Sequence, residues 1–274
     1  MPLISLIVLA VVQGITEFLP VSSSGHLVLV WEAFDYLGLT GLWQSSGERL
    51  DLDVAVHVGT LAAVCLYFHR DLRLMLVGLL RLALGRMDEG TRLAWLIVVG
   101  TVPVVVVGFL ARDWIAANLH GVAVVAWANI VFACLLWFAD RYGLLLRRVQ
   151  HMRVVEALAV GLAQVLALVP GTSRAGITMT VARLLGYERE EAARFSMLLA
   201  IPAIAGAGLL IGLDLYQREA LQLGREALVA AVISMLTALV ALALMMRWLR
   251  RASFQPFVFY RLALGALLLW LVYA

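Results

Sequence analysis

Between Gln13 and Leu27 the chain reads QGITEFLPVSSSGHL, which sets a carboxylate, three consecutive serine hydroxyls and an imidazole inside an otherwise apolar run. Gln13 and Glu17 are four residues apart, on one face of a helix that ends at Pro20. A Glu beside a helix break can bind a divalent cation through its hard oxygens or act as a general base. Ser22, Ser23, Ser24 and Gly25 follow where the chain turns into a second half-helix. Their hydroxyls and the free N–H groups of that helix start make a cradle for phosphate. His26 comes next, able to activate a nucleophile, protonate a leaving group or attack phosphorus itself. At a second polar break, LVPGTSRAG, Thr172 and Ser173 offer hydroxyls and Arg174 a planar fork of donors that clamps an anion. Cation or base, nucleophile, anion cradle and arginine together form a phosphoryl-transfer set.

The setting of these residues is lipid. With 274 residues, 64% hydrophobic and 14% charged, and a mean hydropathy of +0.97, the chain carries several apolar runs long enough to span a bilayer. A charged side chain at that depth costs at least ~2.5 kcal/mol on insertion scales, so an intramembrane Glu points to function. The first apolar run has no charged n-region or small-residue cleavage site and is expected to be retained structure rather than a signal peptide. Cys65 and Cys134 lie in apolar runs and read as membrane thiols without a disulfide or metal role. A net charge of +3, with no basic cluster interleaved with aromatics, argues against nucleic acid as a partner. Each polar residue also has a plainer use. Glu17 could be a protonated carboxyl at a helix break or the ion-pair partner of Arg174, and at least one serine is expected only to cap its half-helix. His57 and His69 read as packed histidines, and Gln164 as a donor to broken backbone.

The elements that must position this chemistry follow from the apolar runs. Segments 3–19 and 25–34, around Pro20 and the serine turn, are each too short to span alone and are expected to enter and leave on one side. Full spans are expected at 53–68, 93–111, 121–139, 192–213, 227–246 and 256–273, with 71–84, which carries Arg73 and Arg81, lying in the interface. Segments 154–169 and 175–186 repeat the opening pattern around PGTSRAG. Setting Pro20 on Pro170 pairs Ser22 with Thr172, Ser23 with Ser173 and Ser24 with Arg174, an internal repeat at a spacing of 150 residues. Short broken hydrophobic segments in corresponding places of two halves point to a midplane binding site. The expected fold is therefore a single all-α polytopic membrane domain over 1–274, with repeat halves at roughly 1–139 and 140–274. It has six transmembrane helices plus two re-entrant helix-turn-helix segments related by an inverted-topology repeat. Orientation rests on arginine, since the chain has no lysine: loops 69–92, 140–153, 183–194 and 247–251 hold fifteen of the twenty-one arginines, against four in the opposite loops, which makes the former cytoplasmic. Both termini then lie outside, the first turn opens toward the periplasm, and the two turns meet so that His26 and Arg174 share a cavity. If 71–84 crossed the membrane, everything downstream would flip.

QGITEFLPVSSSGH resembles the first signature of the bacitracin-resistance family of undecaprenyl-diphosphate phosphatases: Glu or Gln, three residues, Glu, then LPVSS and a Gly-His pair. PGTSRAG resembles the family's second signature, PG, a variable residue, then SRSG, with Ala175 in place of the usual Ser. FSMLLAIPA, from Phe195 to Ala203, is similar to a further segment, and the resemblance covers the whole chain. It implies a multi-pass enzyme of the bacterial cytoplasmic (inner) membrane, among membrane lipids, that removes the terminal phosphate of undecaprenyl diphosphate. That reaction recycles the lipid carrier of peptidoglycan synthesis and confers bacitracin resistance. A divalent cation, Mg or Ca, is implied as cofactor. By motif position the resemblance implies Glu17 as the acidic residue, Ser23 as the nucleophile, His26 as the active-site histidine and Arg174 as the phosphate-binding arginine. Gln13 takes the place of a second Glu; its amide oxygen can ligate a cation beside Glu17 but supplies neither charge nor base. Attack by Ser23 with His26 managing the proton, attack by His26 itself and direct attack by water all stay open. Inverted repeats are also the architecture of secondary transporters, so a prenyl-phosphate lipid carrier or flippase is the rival reading. A structural membrane subunit would not need the polar cluster. The sequence does not fix the oligomeric state, and a homodimer stays open.

Overall fold

A computed structural model of the chain describes residues 3–36, 46–119, 121–217 and 224–273, and among these residues the architecture is built from helices joined by turns. The helices are α1 (Leu3–Thr16), α2 (Ser23–Tyr36), α3 (Ser46–Tyr67), α4 (His69–Ala83), α5 (Glu89–Leu110), α6 (Arg112–Asn118), α7 (Val122–Tyr142), α8 (Val154–Val165), α9 (Arg174–Leu184), α10 (Arg189–Gln217), α11 (Gly224–Leu249) and α12 (Gln255–Tyr273). Four of them, α5, α7, α11 and α12, are long and apolar enough to cross a membrane and coincide with four of the expected spans. A fifth candidate is α3 with α4, a pair bent by 78° at Phe68. The expected span 192–213 falls on α10, whose side chains from 210 onward lie outside those described.

Many large apolar side chains point outward, and several small residues lie at the contacts between helices. On α5, Trp95, Val98, Val102, Val105 and Phe109 are exposed while Gly100 and Thr101 are buried, as expected for a helix solvated by hydrocarbon and packed on its neighbours by close backbone approach. The short half-helices use this approach too. Gly14 of α1 lies against Ser234 and Thr237 of α11, and Gly161 of α8 lies against the backbone of Gly100 on α5; neither site has room for a Cβ. Thus α1 packs on α11 as α8 packs on α5, each half-helix seated on a long helix of the other half of the chain, while α7 and α12 pack on each other.

The four arginine-rich loops gather at one end of the molecule. Arg147 pairs with Glu156 at 2.6 Å, Arg148 with Glu188 at 3.2 Å, Arg189 with Asp140 at 2.6 Å and Arg250 with Glu190 at 2.8 Å. Arg183 is fully buried, donating Nε to Asp140 at 3.3 Å, and the same carboxylate accepts from the N–H of Phe254 at 3.0 Å. Both ends of α4 belong to this cluster: Asp71 at its start binds Arg194, and Arg92, just after the turn that follows it, donates to the carbonyls of Gln150 and Met152. In that turn Asp88 caps α5. The Thr91 N–H, with Arg81 beside it, holds the Asp88 carboxyl below the usual carboxylate range.

Candidate active site

Residues 17–22 form a run of turns between α1 and α2, and they deliver Glu17 to the junction of three helices. Its carboxylate is nearly buried and accepts three hydrogen bonds: from Gln13 Nε2 to Oε2 at 2.8 Å, from Ser23 Oγ to Oε2 at 3.0 Å and from Arg174 Nη2 to Oε1 at 2.9 Å. One acidic side chain thus ties α1, the start of α2 and the start of α9 together. A hydroxyl held by a carboxylate is the geometry of a nucleophile with its base. Arg174 Nη1 has no partner among the described residues, which leaves half of the guanidinium fork free beside the carboxylate.

The two polar turns share one local geometry. Ser22 has φ 71° and Ser173 has φ 67°, a left-handed conformation uncommon outside glycine, and each hydroxyl accepts from the N–H three residues on: Gly25 to Ser22 Oγ at 3.3 Å and Gly176 to Ser173 Oγ at 3.1 Å. These caps correct the expected register. They match Ser22 with Ser173, Ser23 with Arg174 and Gln13 with Gln164, 151 residues apart rather than 150. The proline alignment fails because the second turn carries one more residue between Pro170 and its capping serine. Gly171, at φ 94°, absorbs it where the chain runs against the backbone of Val125. Ser23 and Arg174 are therefore equivalent, each the first residue of its half-helix and each bonded to Glu17. The turns also touch directly, through the Gly171 N–H to Ser24 Oγ at 3.1 Å.

Beside this junction is a cavity of about 360 Å³. Glu17, Ser23, Ser24, Asp53, His57, Ser173 and Arg174 form its polar side, and Val104, Leu168 and Ile204 stand among its apolar walls. A polar end continuous with apolar walls suits an anionic head group on a hydrocarbon chain.

Comparison with known proteins decides what the two turns belong to. The profile of the family described as "Bacitracin resistance protein BacA" matches residues 6–267. The chain belongs to this family. Curated relatives agree along their whole length. Undecaprenyl-diphosphatase 1 of Rhodospirillum rubrum is 50% identical over all of this chain and 96% of its own, and the undecaprenyl-diphosphatase of Ruegeria sp. is 49% identical over all of both. That of Alteromonas mediterranea is 46% identical, again over the full length of both chains.

For this BacA-family chain the expected site residues divide. Glu17, Ser23, Ser24, Ser173 and Arg174 line the cavity. Gln13 is fully buried behind Glu17 and outside the lining, turned so that its amide nitrogen holds the carboxylate; in this orientation it positions Glu17 and does not face the cavity as a ligand. Ser22, Gly25 and Thr172 also lie outside the lining: Ser22 and Gly25 form the cap, and Thr172 is fully buried. His26 is the main departure. The expectation that it shares a cavity with Arg174 is not met, because its Nδ1 lies 2.7 Å from the Ser22 carbonyl and its Nε2 2.5 Å from Tyr260 Oη, away from the lining. His57 is expected from the sequence to be a packed residue. His57 lines the cavity with Nε2 3.8 Å from Glu17 Oε2 and Nδ1 tied to the Asp53 carbonyl at 2.5 Å. The signal for it was in the sequence, since Asp53 and His57 are four apart in an apolar run and so share a helix face. Gln164 is fully buried with Nε2 3.5 Å from the Gly100 carbonyl, and Cys65 and Cys134 are free thiols.

Proposed function

We propose that this chain hydrolyses undecaprenyl diphosphate to undecaprenyl phosphate and inorganic phosphate, the reaction named for its full-length relatives. The observation that carries this reading is the Glu17 carboxylate shared by the Ser23 hydroxyl and Arg174 at the polar end of a cavity with apolar walls. Ser23 attacks the terminal phosphorus as its proton passes to Glu17. The bond to the bridging oxygen breaks with its electron pair leaving on the prenyl monophosphate, and water then frees the phosphate from the serine. Arg174, with Nη2 on Glu17 and Nη1 unpartnered, meets the phosphate oxygens with its free edge. A carrier would have no use for a hydroxyl held by a carboxylate, which favours chemistry over transport.

The donor set fits a cation shared between protein and substrate. Among the described residues no group of three or more His, Cys, Asp or Glu could hold an ion alone, but Glu17 and Asp53 present carboxylates to the same cavity. Mg is commonly held by one or two carboxylates together with substrate phosphates. Glu17 and Asp53 would hold Mg or Ca here, and the bound ion would neutralise phosphate oxygens.

The topology that goes with this function has the two broken helix pairs entering from opposite leaflets. Its support is local. The α8 start and the α9 end are tied into the arginine-rich end, while the turn between them reaches the α1–α2 turn through Gly171 and Glu17. Both ends of α4 also belong to the arginine-rich end, so α4 returns to the side it left, which agrees with an interfacial helix and six spans. The positive-inside rule makes that end cytoplasmic and opens the first turn to the periplasm. Release of phosphate from undecaprenyl diphosphate by purified protein in detergent, with Glu17→Ala as the control, tests the function. Equal release by both proteins would refute it.

A further inference from the structure

Arg261, on α12, is fully buried, and among the described residues every acceptor it meets is neutral. Nε donates to Asn129 Oδ1 on α7 at 2.8 Å, and Nη2 to the carbonyls of Gly171 at 3.0 Å and Thr172 at 2.9 Å. Nη1 has no partner, and a Cβ added to Gly176 would come within 2.7 Å of it, so this nitrogen lies beside the first turn of α9. The other fully buried arginine, Arg183, has Asp140, and the part-buried Arg174 has Glu17. Arg261 is an uncompensated cation fastened to the turn that delivers Ser173 and Arg174. Holding a charge away from water without a counter-ion is costly, and a fold can sustain one where an anion arrives. Glu17 and Arg174 offset each other, and the ion proposed above would first have to offset Asp53. Arg261 adds positive charge beyond theirs.

We infer that Arg261 is a positioning residue whose buried charge is matched when phosphate occupies the cavity. Its fork pins the 171–172 turn, and its charge raises the potential where Ser173 and Arg174 meet the anion. The inference deepens the reaction proposed above, although the charge argument needs only a phosphate group.

Asn129→Asp tests it with almost no change of shape. Asn129 is fully buried with Nδ2 unpartnered, so exchanging that nitrogen for oxygen removes no hydrogen bond, and the new carboxylate compensates Arg261 from within. Inorganic phosphate should raise the Tm of the wild-type full chain in detergent. In N129D the phosphate-free Tm should rise and the phosphate-induced gain should shrink. With undecaprenyl diphosphate, N129D should show KM raised about tenfold and kcat within about threefold of wild type. Arg261→Lys, which keeps the charge and loses the fork, should hold KM within about threefold and lower kcat, whereas Arg261→Gln should raise KM about tenfold. A wild-type Tm indifferent to phosphate would overturn the inference. So would an N129D protein with wild-type KM and wild-type phosphate response, which would make Arg261 scaffold alone. If wild type responds to phosphate but releases none from undecaprenyl diphosphate, the proposed reaction fails, and the phosphate response of N129D still decides the role of Arg261.

Discussion

Glu17 is the residue on which the two polar turns converge, and its neighbours set what each substitution should do. Ser23→Ala removes one neutral-to-charged hydrogen bond, a modest stability loss of about 1.5–3 kcal/mol, but it also removes the attacking oxygen. We expect turnover to fall at least about a hundredfold with the fold retained. Brief reaction of wild type with substrate labelled in its terminal phosphate should leave the label on Ser23. Label on His26, or no covalent species at all, would reassign the attack to the imidazole or to water. Arg174→Ala should abolish turnover while the protein still inserts, and it should be less stable than wild type, because it leaves Glu17 buried without its cation. Arg174→Lys should recover little activity, since a point charge cannot bond Glu17 and phosphate with the same planar geometry. Wild-type rates in either variant would remove Arg174 from the site.

At the scale of the element, the half-helices depend on two devices: a serine cap in a left-handed conformation and glycine-to-backbone packing. Ser173 carries conformational strain at φ 67° in exchange for capping Gly176. Ser173→Ala keeps the strain and loses the cap, so we expect it to cost about 1 kcal/mol, whereas Ser173→Gly relieves the strain and should be closer to wild type. Denaturation midpoints in detergent would rank the two, and an alanine variant as stable as the glycine one would deny the cap its role. Gly161→Val forces α8 away from Gly100 on α5 and should lower stability by about 1–3 kcal/mol. It should also lower activity, because α8 leads directly into the turn that carries Arg174. The register of the second turn belongs to this scale too. A helix advances about 100° per residue, so one inserted residue decides which side chain begins the half-helix and faces Glu17. That residue is Arg174, in the place of Ser23 and not of Ser24.

For the whole molecule, the gathering of fifteen arginines at one end, stitched by ion pairs to the starts of α8 and α10, links the charge pattern to the path of the chain. A chain lacking Cys65 and Cys134 and carrying single cysteines should test it with an impermeant thiol reagent. Arg73→Cys, Arg86→Cys and Arg148→Cys should react from one side of sealed membranes, and Asn118→Cys from the other. Reaction of positions 73 and 86 from opposite sides would make α4 a span and reverse the topology beyond it.

Composition pointed to a polytopic helical membrane protein, and four of the six expected spans coincide with long apolar helices, because hydropathy over some twenty residues is a property of the local chain alone. The two polar turns, and the meeting of Glu17 with Arg174, were also legible, since lipid tolerates such residues only where they find one another. Tertiary structure alone turned His26 toward Tyr260, 234 residues away, brought His57 to the cavity and set Arg261 against Asn129, 132 residues earlier. In a short helix each side chain has several neighbours within reach. Which one it bonds depends on how the distant helices cross, and no local periodicity records that.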